Sequence, residues 1–387
     1  MVMDINDVNG SGAGQRKDAE DTKTRAWTPS GDTYHSIRKI YPAPAPPPVK
    51  WVKLERYAAY PLRKIAEAIR GDYLPSVNRM LAAAAAGEMP QTAFMGDGNS
   101  RVLTIYEMSR LPDNLWYVGD LHGDLLALLA IVEYIDAYPA DSPPTIVFLG
   151  DAFDRIEFGF EVLLALFNLI INRPGQILML AGNHDTELYY RRNLGVFYPG
   201  VMPANFCEWL NRQLEEHPER IEFGRNFIEF SKKLPHVLFL PDGTFAAHGG
   251  VPHVDVQKRI STALDLNTIY ARQDFLWGRF HPDERHMEPD RSHKDLGIGY
   301  DDFDKFCELA TDVLSMPVKR MVHGHEHPYS QWSEYPRYRK HPILTLNSHR
   351  MQTADGDVTD VAIARHRYDD IPEVHLLDLC VPSSVIN

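Results

Sequence analysis

The feature that most constrains this chain is a recurrence. Five polar turns, GDLHGD (119–124), GDAFDR (150–155), GNHD (182–185), HGG (248–250) and GHEH (324–327), each follow directly on a short apolar run. In open α/β sheets the carboxyl ends of the strands are where ligands bind, and glycine lets the backbone turn tightly there. Taken singly, a Gly-Asp is a turn, an Asn-His caps a helix, and a lone histidine is a satisfied surface or core residue. Five together, on successive strand ends, assemble one polar cluster.

The surrounding pattern supports that placement. LWYV, TIVFL and QILML read as strands, and DLLALLAIVEYIDAY and EFGFEVLLALFNLIINR between them have helical length and apolar spacing. A βαβαβ order requires parallel strands. Further on, HVLFL, TFAAHGG, KRMVHGHEHP, PILTLNSH, VTDVAIARH and EVHLLDL are strands on shorter connections, forming a second, more mixed sheet. Ahead of them, residues 1 to about 33 are polar and aperiodic, the composition of a flexible tail. YPAPAPPPVK (41–50) is proline-dense and extended. Residues 51–90 show helical spacing broken at Pro61 and Pro75, which predicts two or three helices. The expected division is a tail and proline-rich segment over 1–50, a helical extension over 51–95 and the main domain over 96–387.

Composition removes several classes of function. With 53 acidic against 40 basic residues the formal charge is −13, so there is no basic footprint for nucleic acid. Cys207, Cys307 and Cys380 are odd in number and widely spaced, which gives neither a disulfide framework nor a thiolate zinc site and fits a reducing, cytoplasmic setting. No apolar run approaches the roughly 20 residues of a spanning helix, and the N-terminus has no apolar signal region, so no membrane partner is expected.

The side chains at the five turns suit metal ions. Asp120, His122 and Asp151 offer two carboxylates and an imidazole to a first ion. Asp151 can bridge to a second ion held by Asn183, His248 and His325. Mixed oxygen and nitrogen donors favour manganese, iron or zinc over calcium or magnesium. Two such ions about 3.5–4 Å apart lower the pKa of a bridging water and clamp the oxygens of an in-line displacement. Their residual positive charge faces a phosphate dianion.

The ordered set GD-x-HG, GD-x-x-DR, GNH-acid, HGG and GH resembles the phosphoprotein phosphatases of the calcineurin-like metallophosphoesterase superfamily, over roughly residues 115–380. The resemblance implies an α/β fold of two mixed sheets sandwiched together and flanked by helices. It also implies a serine/threonine phosphatase activity in which a metal-bridging hydroxide attacks phosphorus directly. Asp154 and His184 resemble the dyad that protonates the leaving alkoxide, and Arg155 the first phosphate-holding arginine. A second such arginine is expected between HGG and GHEH, with Arg291 chosen over Arg279. The GHEH turn resembles the GH-x-H of the wider superfamily, which makes His327 a further ligand of the first ion, while His323 is read as a strand neighbour. Ile156 and Asp185 depart from the phosphatase pattern of DRG and GNHE. Asp124 is expected at a helix N-terminus rather than on a metal. The competing expectations are a small-molecule phosphoester hydrolase, for example of dinucleoside polyphosphates, and a phosphoprotein-binding pseudophosphatase.

Overall fold

The computed structural model describes residues 46–381 except 60, 89–98, 103–104, 215, 295 and 354–355. The expected tail and most of the proline-rich segment lie outside the described residues.

All nine sequence-predicted strands form, and they divide between two sheets. The first sheet has the spatial order Val49–Lys53, Glu373–Asp378, Asp360–Arg365, Leu115–Val118, Thr145–Phe148, Ile177–Met179. Its last three strands are parallel, as βαβαβ requires, with Leu125–Asp136 and Gly159–Asn172 as the crossover helices. The second sheet runs Trp332–Glu334, Ile343–Leu346, Arg320–His323, Thr244–Ala247, Val237–Phe239, Ile105–Glu107, Asn99–Val102, and mixes parallel and antiparallel neighbours. A single hydrophobic core takes Trp116 and Val118 from the first sheet together with Leu238, Val322 and Leu344 from the second.

The structure departs from the expected arrangement in three places. Asp360–Arg365 and Glu373–Asp378 return to the first sheet instead of extending the second, because the run Ala362-Ile363-Ala364 is fully buried beside Leu115–Val118, with Ile363 opposite Val118. Residues 51–90 begin with a strand: Val49–Lys53 adds a parallel edge to Glu373–Asp378. The rest of that stretch is a short 3-10 turn followed by one 25-residue helix, Leu62–Ala86, with Pro75 inside it. A proline removes one helical hydrogen bond and crowds the carbonyl four residues back. Here that residue is Gly71, whose missing side chain faces open space. Tertiary packing then decides: Ile69, Leu74, Val77, Met80 and Leu81 bury one stripe against Gly159–Asn172 and Pro218–Ser231. The helix stops at Gly87, in the left-handed region at φ 78°, where the amides of Gly87 and Glu88 return to the carbonyls of Ala84 and Ala83.

Candidate metal centre

The five turns converge, and their backbones hold one another in strained shapes. Non-glycine residues rarely take positive φ, yet His122 (43°), Asp151 (54°), Asp154 (70°), Arg155 (64°) and His325 (64°) all do. Such residues cost about 1–3 kcal/mol each and persist where the surroundings over-determine them. The amides of Leu121 and His122 donate to the Asp151 carbonyl at 3.1 and 2.9 Å, and Ile156 N donates back to the His122 carbonyl at 2.9 Å. His184 N donates to Asp151 Oδ1 at 2.9 Å. His325 N donates to Asp120 Oδ1 at 3.0 Å. Gly182 is required by this closeness, since a Cβ there would lie 2.2 Å from Asp151 Oδ1. Asp185, the shorter acid in GNHD, clamps two turns together by accepting from Asp151 N at 2.8 Å and Gly182 N at 2.9 Å. Burial and the neighbouring Asp151 charge push its carboxyl up to about 6.

Three groups of side chains present ligand atoms within ion-binding reach: Asp120, His122 and His327; His122, Asp151 and His184; and Asp151, His248 and His325. The sequence-predicted ligands are therefore brought together, His327 included, with His327 Nε2 at 3.0 Å from Asp120 Oδ2. Asn183 joins them through Oδ1, 2.8 Å from His248 Nε2.

The donor set fits metal ions. His122 and His248 each turn Nδ1 to a backbone carbonyl, of Phe153 and Leu149, both at 3.0 Å. Carbonyls only accept, so the protons sit on Nδ1 and both Nε2 lone pairs point inward. His122 Nε2 is buried with no hydrogen-bond partner among the described residues, and Asp120 Oδ2 and Asp151 Oδ2 stand 3.7 and 3.6 Å away. The lone pairs of His248 Nε2 and Asn183 Oδ1 adjoin as two ligands of one cation do. Burial holds His122 well below the usual imidazole range, the neutral form a cation needs. Burial alone would raise Asp120, but the imidazoles of His248, His327 and His122 around it, His327 by a hydrogen bond, outweigh burial and hold the carboxyl well below its usual range.

Beside the ligands, His184 Nδ1 is 2.7 Å from Asp154 Oδ2, while Asp154 Oδ1 accepts from Phe206 N at 2.8 Å. Burial would lower His184, and the charge of Asp151 with the Asp154 hydrogen bond outweighs it, so the imidazole is raised. Arg155 is exposed, and its guanidinium has no partner among the described residues. Arg291 stands differently. Its guanidinium is forked between Asp274 and Asp255 at 2.5–3.1 Å, which engages four of its five N–H donors. Arg279 instead reaches the ligands through the His325 carbonyl, at 3.3 Å. His323 is buried on its strand and bonds Thr345 Oγ1 at 2.7 Å. Asp124 caps Leu125–Asp136 by accepting from Ala127 N at 3.1 Å.

Two residues that sequence reasoning missed stand in NSHR (347–350). Arg350 is 1% exposed and meets Asp124 through Nη2 at 2.6 Å and Nε at 2.8 Å. His349 Nδ1 lies 3.2 Å from the Asp120 carbonyl, its ring edge-on to His122 at 4.9 Å. Their only sequence signal was position, a polar turn after the strand PILTL. A cavity of about 960 Å³ is lined by Asp154, Arg155, His327, His349 and Arg350, and by Arg70 of the long helix.

The calcineurin-like phosphoesterase family matches residues 114–329, more than half of the chain, and the chain belongs to it. The site is accordingly that of a metallophosphoesterase. Among curated relatives, the chain is 42% identical over 69 residues to the serine/threonine-protein phosphatase 2B catalytic subunit A1 of Saccharomyces cerevisiae, 18% of this chain and 12% of that protein. It is 35% identical over 89 residues to serine/threonine-protein phosphatase 5 of Homo sapiens, 23% and 17% of the two chains. Subunit A2 of the yeast phosphatase 2B is 31% identical over 159 residues, 41% of this chain and 22% of that one. The chain thus spans less than a quarter of the length of these relatives. A solved Saccharomyces cerevisiae protein serine/threonine phosphatase with similarity to human PP5 superposes with a TM-score of 0.53 at 16% identity, covering 78% of this chain and 89% of that one. At that identity it is the fold that is shared.

Proposed function

We propose that the chain is a phosphomonoesterase that removes phosphate from phosphoserine and phosphothreonine in proteins, using two ions drawn from manganese, iron and zinc. In this reading residues 96–387 form the catalytic domain and 51–95 its extension. The carrying observation is the His184–Asp154 pair, 2.7 Å apart and adjoining the ligand side chains. Bound ions supply Lewis-acid polarisation and a nucleophilic water at neutral pH. What the chain adds is a proton. Asp154, fixed by Phe206 N, orients the imidazole so that His184 Nε2 can give its proton to the departing serine or threonine oxygen. Arg155, with its fork unengaged, holds the phosphoryl oxygens. The matched stretches of the phosphatase relatives support the protein-substrate reading.

His184→Asn tests it. A serine alkoxide is a poor leaving group and an activated aryl oxide a good one, so the variant should lose about 10²–10⁴-fold on phosphoserine peptides and far less on an aryl phosphate, with metal content unchanged. Equal losses accompanied by metal loss would make His184 a ligand. Faster wild-type turnover of dinucleoside polyphosphates than of phosphopeptides would favour the small-molecule reading.

A further inference from the structure

His349 stands in the reaction cavity without a part in the chemistry above. Nδ1 faces the Asp120 carbonyl at 3.2 Å, and a carbonyl only accepts, so Nδ1 carries the proton. In the neutral ring the lone pair is then on Nε2, across from Nδ1. His349 lines the cavity beside Asp154, Arg155 and His327, and its ring packs at 4.9 Å against His122 and 5.3 Å against His327. Nε2 has no bonding partner among the described residues.

The segment that carries it is pinned on both sides. Ser348 N donates to the Asp120 carbonyl at 3.1 Å, and Gly119 N donates to Ser348 Oγ at 2.8 Å. Arg350, next in sequence, is locked to Asp124 by its backbone amide at 3.0 Å as well as by its guanidinium. A ring held this firmly presents its acceptor in a fixed direction.

A neutral imidazole offering a lone pair cannot bind the ionised phosphoryl oxygens, which also only accept; those are matched by the donors of Arg155. We propose that His349 is a specificity residue whose Nε2 accepts a hydrogen bond from an N–H or O–H on the organic part of the ester, next to the phosphoryl group. Building on the protein-phosphatase reading, that donor is a backbone amide flanking the phosphoserine. A phosphoester without such a donor leaves that acceptor unmatched in the complex and is turned over less well.

The test compares a phosphoserine peptide with a donor-free aryl phosphate in His349→Leu and His349→Gln, with metal content measured in each. In His349→Leu the kcat/KM ratio of peptide to aryl phosphate should fall about tenfold, mostly through KM. His349→Gln, whose amide oxygen can accept, should recover much of that ratio, and metal content should match wild type. Equal losses on both substrates, loss of metal, or an unchanged ratio would each overturn the assignment, the first two by making His349 a support for Asp120 and His122. If wild type does not hydrolyse the phosphopeptide, the protein-phosphatase reading fails by itself. The ratio of glycerol phosphate to aryl phosphate then decides the role of His349 on the same criteria.

Discussion

Asp151 is the carboxylate that two of the ligand groups share, as His122 is the shared imidazole, with His122 Nε2 and His248 Nε2 at 3.6 and 3.4 Å from its Oδ2. Its Oδ1 has a different task, accepting from His184 N. Asp151→Asn separates the two, since the amide oxygen can still accept that bond while the negative charge is gone. The expected outcome is a fall from about two ions per chain to about one or fewer by elemental analysis, and a loss of at least about 10²-fold in hydrolysis. Wild-type stoichiometry and activity would remove Asp151 as the shared ligand. At this scale the ligands were legible because each stands in a glycine turn on a strand end, a pattern local in sequence. Arg350 was not, because its charge is compensated by Asp124, 226 residues earlier, and no local pattern records that pairing. Arg291 shows the converse: the resemblance placed a phosphate-holding arginine in its stretch of chain, and the structure sets its guanidinium against two carboxylates, Asp255 and Asp274.

Between elements, a buried polar knot joins the two sheets. Asp242, in the turn before Thr244–Ala247, accepts from Arg320 Nη1 at 2.9 Å and from the amide and hydroxyl of Thr244 at 3.0 Å, all in the second sheet. Its Oδ2 lies 3.3 Å from Nε2 of His366, whose Nδ1 bonds Tyr117 Oη of the first sheet at 2.8 Å. Burial would raise the Asp242 carboxyl, but the close approach of His366, the hydrogen bonds from Thr244 and the Arg320 charge together hold it well below the usual range. A carboxyl lowered in the folded state stabilises the fold above its unfolded pKa of about 3.9, and that stability is lost as pH falls toward the folded value. Asp242→Asn should therefore cost about 3 kcal/mol at pH 7, since the nearest carboxylate left to the buried Arg320 is the more distant Asp369 at 3.7 Å. The gap between wild type and variant in urea melts should narrow as pH drops below about 4. A gap that is constant from pH 7 to 3 would mean that charge is not what Asp242 contributes. The strands that meet here were each readable from their apolar runs. Their partition was not: whether Asp360–Arg365 pairs with Leu115–Val118 or with the second sheet depends on which edge has room for Ala362 and Ala364, a question of three-dimensional packing.

For the whole molecule, the open question is whether the segment ahead of the reaction domain is an appendage or a part of its core. The polar composition of residues 1–45 predicts that removing them leaves thermal stability and aryl phosphate hydrolysis close to those of the full chain. Removing 1–54 takes away Val49–Lys53, whose side chains are mostly exposed, Trp51 by 65%, so little apolar burial is lost. What is lost is the cover over Glu373–Asp378, and a newly bare strand edge promotes pairing with another copy. That variant should stay folded but associate at rising concentration in size-exclusion chromatography. Removing 1–88 is a different matter. It strips Ile69, Leu74, Val77, Met80 and Leu81 from the faces of Gly159–Asn172 and Pro218–Ser231 and leaves Glu161 without Arg70, its ion-pair partner at 2.6 Å. At about 1.5–3 kcal/mol for each large buried side chain, the loss is comparable to the 5–15 kcal/mol that holds a typical domain together. The expected result is insoluble or unfolded protein. Glu161 lines the same cavity as Arg155, so any residual fold should also turn over substrate poorly. A soluble, active 89–387 fragment would show that the long helix is an addition to a self-sufficient domain, and that the apolar faces it covers need no cover.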